Sequence, residues 1–329
     1  MRLKEGAVKI KPAKELRRLL NEGAFPLRSV SGSTPQHAQL AEAAGIQVFS
    51  ISGSATSSDL FGLPDAGLVT LTEVTECAKR ICDAVSIPVI VDGDTGFGNA
   101  VGVQRMASEF IKAGVAGFKI EDQSSPKRCG FTKGLSVIGI EEMVGKLRSA
   151  KDVRDAMDPE VVLTARTDAR NAGGGLDDVL RRCEAYLKVG VDMIMVTALH
   201  NREELRRVRE AFPEARLQAN AHGMRPRLTT ADYNEFRLVT SGAKLNVVAA
   251  IAMYDFLQTY AERGADYYAE FMDGNKGHPM VDFGFLDLTG FPKLVELEER
   301  YLPAEDLKKY ETSESVYDPR VGQGSLARA

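Results

Sequence analysis

The chain has 329 residues, of which 44% are hydrophobic and 27% are charged, values that are ordinary for a protein able to bury a large core. Its 42 Lys and Arg residues against 46 Asp and Glu residues give a net charge of −4, which argues against a nucleic-acid-binding surface. No apolar run is long enough to predict a membrane span, and the N-terminal segment lacks the apolar core of a secretory signal. Four irregularly spaced cysteines predict neither a disulfide framework nor a zinc site, so we expect a cytoplasmic protein.

Apolar runs of strand length alternate with helical patterns along most of the chain, and these runs are apolar on both faces. The predicted strands are 27–31, 46–50, 88–92, 117–121, 161–166, 193–197, 216–220 and 244–248. The predicted helices are 35–44, 72–84, 102–113, 140–156, 177–189, 202–211, 231–235 and 249–261. Repeated strand–helix units at this spacing favour a closed (β/α)₈ barrel of the TIM type, in the α/β class, over the alternative of an open doubly wound sheet.

Segments outside the barrel complete the predicted organisation. We expect an N-terminal helical extension over 1–24, a catalytic barrel over 25–265, a C-terminal helical extension over 266–312 and a mobile tail over 313–329. An amphipathic helix in the C-terminal extension places Leu294, Leu297 and Tyr301 on one side. That side is expected to pack on a neighbouring subunit of a homo-oligomer; the alternative is that the helix folds back on its own barrel.

Polar residues collect where the predicted strands end. They are Ser52, Gly53 and Ser54 after the second strand, Asp92 and Asp94 after the third, Glu121 after the fourth, Arg166 after the fifth, and Asn220 and His222 after the seventh. In a βα barrel the carboxyl ends of all strands meet at one face, where active sites lie. We therefore expect these side chains to share one mouth.

The acidic residues of this group predict a metal site. Asp92, Asp94 and Glu121 would repel one another in a dry mouth unless something neutralised them. A hard divalent cation such as Mg²⁺ takes oxygen ligands and rests on one or two carboxylates. The alternative is that the acids form salt bridges with Arg166 and Lys119, and we favour the metal.

A long loop, 122–136, follows the fourth strand and contains the sequence QSSPKRCGFTKGLS. Loops of this length in compact domains often act as lids. Cys129 lies beside two cationic residues, which favour the thiolate and suit it to proton transfer. The alternative, an inert buried cysteine, fits Cys77, Cys82 and Cys183 in predicted helices better than it fits Cys129.

Four motifs carry a resemblance to a known family. In order they are SGSATSSDLFGLPDAGLVTL, VDGDTGFGN, GFKIEDQSSPKRCG and LTARTDAR. In this order and spacing they resemble the isocitrate lyase and phosphoenolpyruvate mutase superfamily, nearest to its short members related to 2-methylisocitrate lyase. The likeness runs from about residue 25 to about residue 260.

The resemblance implies a TIM-type barrel whose extra C-terminal helix is swapped between subunits, in a homotetramer built as a dimer of dimers. It implies Mg²⁺, with Mn²⁺ as the alternative ion, at Asp92 and Asp94. Asp65 and Glu121 would reach the ion through water. It implies a small α-keto or 2-hydroxy carboxylate as the substrate, while the charge and hydropathy described above predict no nucleic-acid or membrane partner.

The resemblance also assigns catalytic and binding roles. Cys129 matches the general acid of the lyase lid, and Arg166 matches the arginine that grips the carboxylate of an α-keto acid. The implied substrate-binding set is Ser52, Gly53, Ser54, Asp94, Gly130, Arg166, Thr197, Asn220 and His222.

Some positions depart from the pattern of the family. The lyases continue KRCG with His, where this chain has Phe131, and methylisocitrate lyase has Glu where we align Thr197. The Asn-x-Thr-Glu run of the lyases is replaced here by the residues 220–223, NAHG. These departures argue against isocitrate and methylisocitrate as substrates. The Asn-Ser pair of the phosphoenolpyruvate mutase lid is also absent, which argues against phosphonopyruvate formation.

The resulting hypothesis is a Mg²⁺-dependent carbon–carbon lyase acting on a small 2-hydroxy di- or tricarboxylate by retro-aldol or Claisen chemistry. The reaction would pass through a metal-stabilised enolate, with Cys129 as the general acid. The alternatives are a carboxyphosphonoenolpyruvate mutase-like enzyme acting on P–C bonds, an oxaloacetate-type hydrolase, and a barrel that binds an oxo acid without turning it over.

Overall fold

The computed structural model describes residues 11–22, 26–220, 223–239, 242–281 and 283–321. Contacts divide the chain into two compact units, one extending to Asn246 and one beginning at Val247. The strands of the first unit are β1 (Ser29–Gly32), β2 (Val48–Ile51), β3 (Val89–Asp92), β4 (Gly117–Glu121), β5 (Val162–Thr167), β6 (Met193–Thr197), β7 (Leu217–Asn220), β8 (Leu238–Val239) and β9 (Ala243–Lys244).

The helices of the first unit are α1 (Pro12–Glu22), α2 (Pro35–Ala43), α3 (Gly53–Phe61), α4 (Leu71–Ala84), α5 (Ala100–Lys112), α6 (Ile140–Met157), α7 (Gly175–Val189), α8 (Arg202–Ala211) and α9 (Thr230–Glu235). A helix that begins at the end of this unit, α10 (Leu245–Arg263), continues into the second. The remaining helices are α11 (Ala265–Gly274), α12 (Gly284–Thr289), α13 (Phe291–Tyr301), α14 (Ala304–Leu307) and α15 (Lys309–Thr312).

The strands form one parallel sheet in the order β8-β7-β6-β5-β4-β3-β2-β1-β9. Its two ends are neighbours in the chain, since β8 and β9 are separated only by residues 240–242. Leu238 pairs with Leu217 of β7, and Ala243 pairs with Val30 of β1. One interrupted eighth strand therefore joins both edges of the sheet, which confirms the predicted α/β barrel of the TIM type.

The inner face of the barrel is more polar than the sequence pattern predicted. On β4, Phe118 and Ile120 are fully buried in the core shared with the surrounding helices. Lys119 and Glu121 alternate with them and are also buried. Because side chains alternate across a strand, Lys119 and Glu121 point into the barrel. The prediction of runs apolar on both faces is wrong for this strand, because its inner face carries the charged groups of the site.

Helix α1 closes the amino end of the barrel. Its residues Leu16, Leu19 and Leu20 belong to a second core cluster, which also contains Val48, Ala116, Val162, Met193 and Val239 at or near strand starts. Arg17 donates to the Glu160 carbonyl at 2.8 Å and pairs with Asp192 at 2.8 Å. This end is therefore filled by apolar side chains, which leaves the carboxyl ends of the strands for the site.

Two elements differ from the predictions. The eighth strand was predicted at 244–248, but β9 already ends at Lys244 and the helix α10 begins at Leu245. The apolar residues that suggested a strand form the first turns of this helix. Helix α3 was not predicted, because its sequence, GSATSSDLF, lacks helical hydrophobic periodicity.

The second unit is helical. Phe256 of α10 contacts Tyr260 and the α11 residues Tyr267 and Phe271, with ring centroids 4.9–5.7 Å apart. No helix in the described ranges is both long and apolar enough to cross a membrane. The swap of a C-terminal helix between subunits stays a prediction.

Candidate active site

The segment after β2 forms the start of helix α3. Ser52 is the N-cap, and its Oγ accepts a hydrogen bond from the Ala55 N–H at 3.4 Å and lies 3.0 Å from the Ser54 Oγ. The first N–H groups of a helix have no acceptor within the helix, and they carry the positive end of its dipole. The predicted residues Ser52, Gly53 and Ser54 thus form a helix N-terminus at the mouth that suits a carboxylate.

Arg166, at the end of β5, connects three acids of the mouth. Its Nη1 lies 2.6 Å from the Glu121 Oε2 and 3.8 Å from the Asp92 Oδ2, and its Nε lies 2.9 Å from the Asp168 Oδ2. Lys119 Nζ lies 4.0 Å from the same oxygen of Asp92. The structure therefore brings together Asp92, Glu121 and Arg166, as predicted from strand-end positions.

The other acids of the mouth face a lysine from the lid. Lys127 Nζ lies 2.9 Å from the Asp94 Oδ1 and also contacts Asp65. Lys127 is buried although it belongs to a loop. Gly53 adjoins this group, since a Cβ added there would lie 3.0 Å from the Asp94 Oδ1. Lys127 was not among the predicted site residues. Its contacts with Asp65 and Asp94 add it to the residues of the candidate site.

The 122–136 loop, which is the predicted lid, packs against Arg166. The side-chain amide of Gln123 donates to the Arg128 carbonyl and accepts from the Arg128 N–H, both at 3.0 Å. The Cys129 N–H donates to the Asp65 carbonyl at 2.8 Å. A Cβ on Gly130 would lie 2.7 Å from the Arg166 Nη2, so a side chain at this position would displace the guanidinium. Cys129 is thus half-buried immediately beside the residue that contacts Arg166.

Five carboxylates face three cations in this cluster. The acids are Asp65, Asp92, Asp94, Glu121 and Asp168, and the cations are Lys119, Lys127 and Arg166. With every group ionised, the cluster has two more negative charges than positive ones. Such a buried excess of negative charge is unfavourable without a counter-ion.

Burial shifts the pKa values of these acids in different directions. Burial raises the pKa of Asp94 to about 6, although Lys127 opposes the rise. Burial also raises the pKa of Glu121 well above its ordinary value, against the pull of Arg166. At Asp92 burial acts in the same direction, but Lys119 and Arg166 outweigh it and lower the pKa. Of Asp92, Asp94 and Glu121, Asp92 is therefore the carboxylate that most readily stays ionised.

The donor set fits a hard divalent cation. Within the described part of the chain, no three His, Cys, Asp or Glu side chains are already arranged as a metal cluster, because the acids face basic groups. Asp92 Oδ1 and Glu121 Oε1 are nevertheless buried and lack a hydrogen-bond partner among the described residues. Carboxylate oxygens with unused lone pairs, in a cluster of excess negative charge, are what Mg²⁺ requires.

The raised pKa of Asp94 predicts a pH dependence for the metal-free protein. A carboxyl whose pKa rises from 3.8 to about 6 on folding binds its proton more tightly in the folded state. Its ionisation therefore lowers the free energy of unfolding as the pH rises from about 4 to about 6. We expect Asp94→Asn to flatten this fall in urea denaturation without Mg²⁺, and a slope as steep as that of the wild type would contradict the assignment.

Asp168 is a further site residue that the sequence did not single out. Thr197, predicted to bind substrate, has its Oγ1 2.7 Å from the Asp168 Oδ1. The backbone N–H of Asp168 donates to the Asp122 Oδ1 at 2.9 Å, and Asp122 also accepts from the Tyr186 hydroxyl at 2.8 Å. In the structure Thr197 therefore positions Asp168. The strand-end position of Asp168 was the signal available in the sequence.

Two predicted residues lie partly or wholly outside the described residues. Asn220 ends β7, where its backbone pairs with Thr197 of β6. The side chain of Asn220 and the whole of His222 lie outside the described residues. Their roles in substrate binding stay predictions.

Comparisons with known proteins show which family the chain belongs to. Residues 34–262 match the phosphoenolpyruvate phosphomutase family. The chain is 38% identical over 261 residues to 2,3-dimethylmalate lyase of Eubacterium barkeri, a match covering 78% of this chain and 87% of the relative. It is 41% identical over 189 residues to 2-methylisocitrate lyase of Escherichia coli (strain K12), covering 57% of this chain and 62% of the relative.

A solved structure of a phosphonopyruvate hydrolase complex with oxalate and Mg²⁺ has the same fold, with a TM-score of 0.77 at 27% identity over 89% of this chain and 100% of that chain. The family match covers more than half of the chain. Taken with the barrel and its strand-end cluster, it establishes the relationship that the sequence motifs predicted. The chain belongs to the phosphoenolpyruvate phosphomutase family, within the superfamily shared with isocitrate lyase, and it is an enzyme of the lyase type for which its relatives are named.

Proposed function

We propose that the protein is a Mg²⁺-dependent carbon–carbon lyase that cleaves a small 2-hydroxy dicarboxylate. The main support is the meeting, at one mouth, of an arginine, a helix N-terminus, an acidic cluster and a lid that carries Cys129. Each of these features serves a different part of a retro-aldol or Claisen cleavage. The relatives named as lyases support the same reaction type.

One carboxylate of the substrate binds between Arg166 and the start of α3. Arg166 offers donors in a planar fork, which matches the geometry of a carboxylate. The N–H groups of Gly53 and Ser54 add the positive end of the helix dipole on the other side. Because Glu121 and Asp168 already contact the guanidinium, they hold its plane in place before the substrate arrives.

The cation site uses the acids of the same mouth. Asp92 and Asp94 would hold Mg²⁺, and Asp65 and Glu121 would act through water. Mn²⁺ is the alternative ion, since it accepts the same oxygen donors. When bound, the ion supplies Lewis-acid stabilisation of the negative charge that develops during cleavage. Lys127 balances Asp65 and Asp94 in the metal-free protein.

Bond cleavage needs one proton removed and one proton delivered. The hydroxyl group gives its proton to a base, and its oxygen becomes the carbonyl of a 2-keto acid. The electron pair of the broken carbon–carbon bond passes to the second product as an enolate. The Cys129 thiol then protonates the enolate carbon, while the lid keeps water away. The products are a 2-keto acid and a carboxylate.

The lid also bears on the substrate class. Phe131 follows Gly130 on the lid, and the Lys244 ammonium lies 4.7 Å from the centre of its ring. Phe131 also replaces the His of the lyases, and an apolar ring in place of that His suits a substrate with alkyl groups rather than a third carboxylate. The likeness to 2,3-dimethylmalate lyase supports this choice. Isocitrate-like tricarboxylates are therefore disfavoured.

A homo-oligomer, built as a dimer of dimers, is part of the same proposal. In this oligomer the partner of each chain is a second copy of the same chain, as the resemblance to the family implies. Val248, Ile251, Tyr254 and Leu257 lie on α10 at three-residue spacing and are all exposed. Monomeric proteins rarely expose so many apolar side chains together. The predicted cytoplasmic location, drawn from cysteine usage, stays a prediction.

A substrate panel tests the proposed reaction. The protein is incubated with Mg²⁺ and 2-alkylmalates, 2,3-dialkylmalates, isocitrate or 2-methylisocitrate, and the 2-keto acid formed is measured through a dehydrogenase that reduces it. We expect turnover of an alkylated 2-hydroxy dicarboxylate that EDTA abolishes and added Mg²⁺ restores. No keto acid from any member would contradict the proposal.

Further arms of the panel separate the alternatives. A shifted phosphorus NMR signal from a carboxyphosphonate would instead identify P–C bond chemistry. Release of oxalate and acetate from oxaloacetate would identify a hydrolase. Calorimetric binding of oxalate with Mg²⁺, without any turnover, would identify a barrel that binds an oxo acid passively.

A further inference from the structure

Helix α6 carries a buried lysine that none of the roles above uses. Lys146 is only 4% exposed, and its ammonium donates a hydrogen bond to the Thr95 carbonyl at 2.9 Å. One turn further along, the Ser149 hydroxyl donates to the Ala100 carbonyl at 2.5 Å. These two side chains hold the loop between β3 and α5 near both of its ends.

That loop contains a turn in a demanding conformation. Asp94 has a φ of +46°, a region that residues with a Cβ rarely adopt. The Asp94 carbonyl accepts from the Glu121 N–H at 2.8 Å, and the Gly96 N–H donates to the Gly93 carbonyl at 2.8 Å. The Thr95 carbonyl, which is the next acceptor along the turn, faces Lys146. Backbone in this conformation persists only where its surroundings hold it.

A buried lysine is an energetically unfavourable hydrogen-bond donor for a single backbone carbonyl, here that of Thr95. Burial of an ammonium group is unfavourable, and burial lowers the pKa of Lys146, opposed by Glu142 one turn earlier on α6. The free energy of folding therefore does not explain a charged group at this position. A role in fixing the turn at Asp94 and Thr95 does explain it.

We propose that Lys146 is a positioning residue for the metal site, fixing the Thr95 carbonyl and so holding Asp94 with its carboxylate directed into the mouth. The inference rests on the proposed Mg²⁺ site, since Asp94 is one of its ligands. It adds a residue from outside the mouth, on a helix that touches neither the substrate nor the ion. Outer contacts of this kind commonly change metal affinity by 10- to 100-fold.

Lys146→Met tests the proposal in the full-length protein. We expect Mg²⁺ affinity, measured by titration calorimetry, to fall by about tenfold. Hydrogen exchange of residues 93–100 in the metal-free protein should become faster. The thermal midpoint should stay the same or rise, because methionine fills the space without a buried charge. Lys146→Arg, which keeps a charged donor, should restore most of the affinity.

Lys151→Met is the matched control on the same helix, since Lys151 pairs with Asp155 at 2.6 Å near the surface. It should change neither Mg²⁺ affinity nor exchange in 93–100. A lower midpoint in Lys146→Met, with wild-type affinity and exchange, would show a merely structural lysine and overturn the inference. If the wild type binds no Mg²⁺, the metal site itself fails. In that case hydrogen exchange of residues 93–100 tests the positioning role by itself. Unchanged hydrogen exchange in Lys146→Met would overturn that role.

Discussion

Cys129→Ser is expected to lower turnover by about a thousandfold, within the range that general acid catalysis contributes. Serine is nearly the same size as cysteine, but its hydroxyl is a much poorer proton donor at neutral pH. The substitution leaves the hydrogen bond from the backbone N–H of residue 129 to the Asp65 carbonyl intact, so the 122–136 loop should keep its position. Steady-state kinetics with the substrate found in the panel measures the effect, and Mg²⁺ titration should show unchanged affinity.

Cys82→Ser is the control for this substitution. Cys82 lies on α4, and burial raises the pKa of its thiol to about 12, which disfavours its thiolate near neutral pH. Turnover of Cys82→Ser should match that of the wild type. Wild-type turnover in Cys129→Ser would remove this thiol from the mechanism and leave the lid only its role in excluding water.

The second large effect is expected for Arg166→Met. Arg166 is the common partner of Asp92, Glu121 and Asp168, all buried at the mouth. Removing one partner of a buried ion pair leaves uncompensated charge and costs about 3–5 kcal/mol. We expect the free energy of unfolding in urea, without Mg²⁺, to fall by about that amount, and turnover to vanish.

Two further variants make the Arg166 result specific. Arg166→Lys keeps the charge but loses the planar fork, so we expect a folded protein whose turnover is about 100-fold lower. Arg181→Met removes an exposed arginine that pairs with Asp178 at 3.0 Å, and it should change stability by less than about 0.5 kcal/mol. A fully stable and active Arg166→Met would contradict both assigned roles of this arginine.

The fold was largely predictable because most strands and helices carry their own periodicity. The eighth strand was the exception, since its two short pairs of residues, LV and AK, contain no pattern that distinguishes them from a loop. The strand was predicted at 244–248 because apolar residues follow these two pairs, but those apolar residues form the start of α10. Helix α3 escaped prediction because its start is determined by the cap at Ser52 rather than by apolar spacing.

The site was predictable where it depends on strand ends and less so where it depends on loops. Asp92, Glu121 and Arg166 end neighbouring strands, so parallel topology alone brings them together. Lys127 reaches Asp94 and Asp65 only because of how the lid folds, and no periodicity encodes that path. The contact of Thr197 with Asp168 was not predictable for a similar reason, because it depends on the orientation of both side chains.

The most direct test of the central claim is a high-resolution crystal structure grown with millimolar Mg²⁺ and oxalate. We expect an octahedral ion among the oxygens of Asp92 and Asp94, with oxalate between the ion and Arg166. Lys127 should then no longer be the nearest positive charge to Asp94. Asp92 and Asp94 contacting only Lys119, Lys127 and Arg166, with oxalate bound and no ion, would contradict the account.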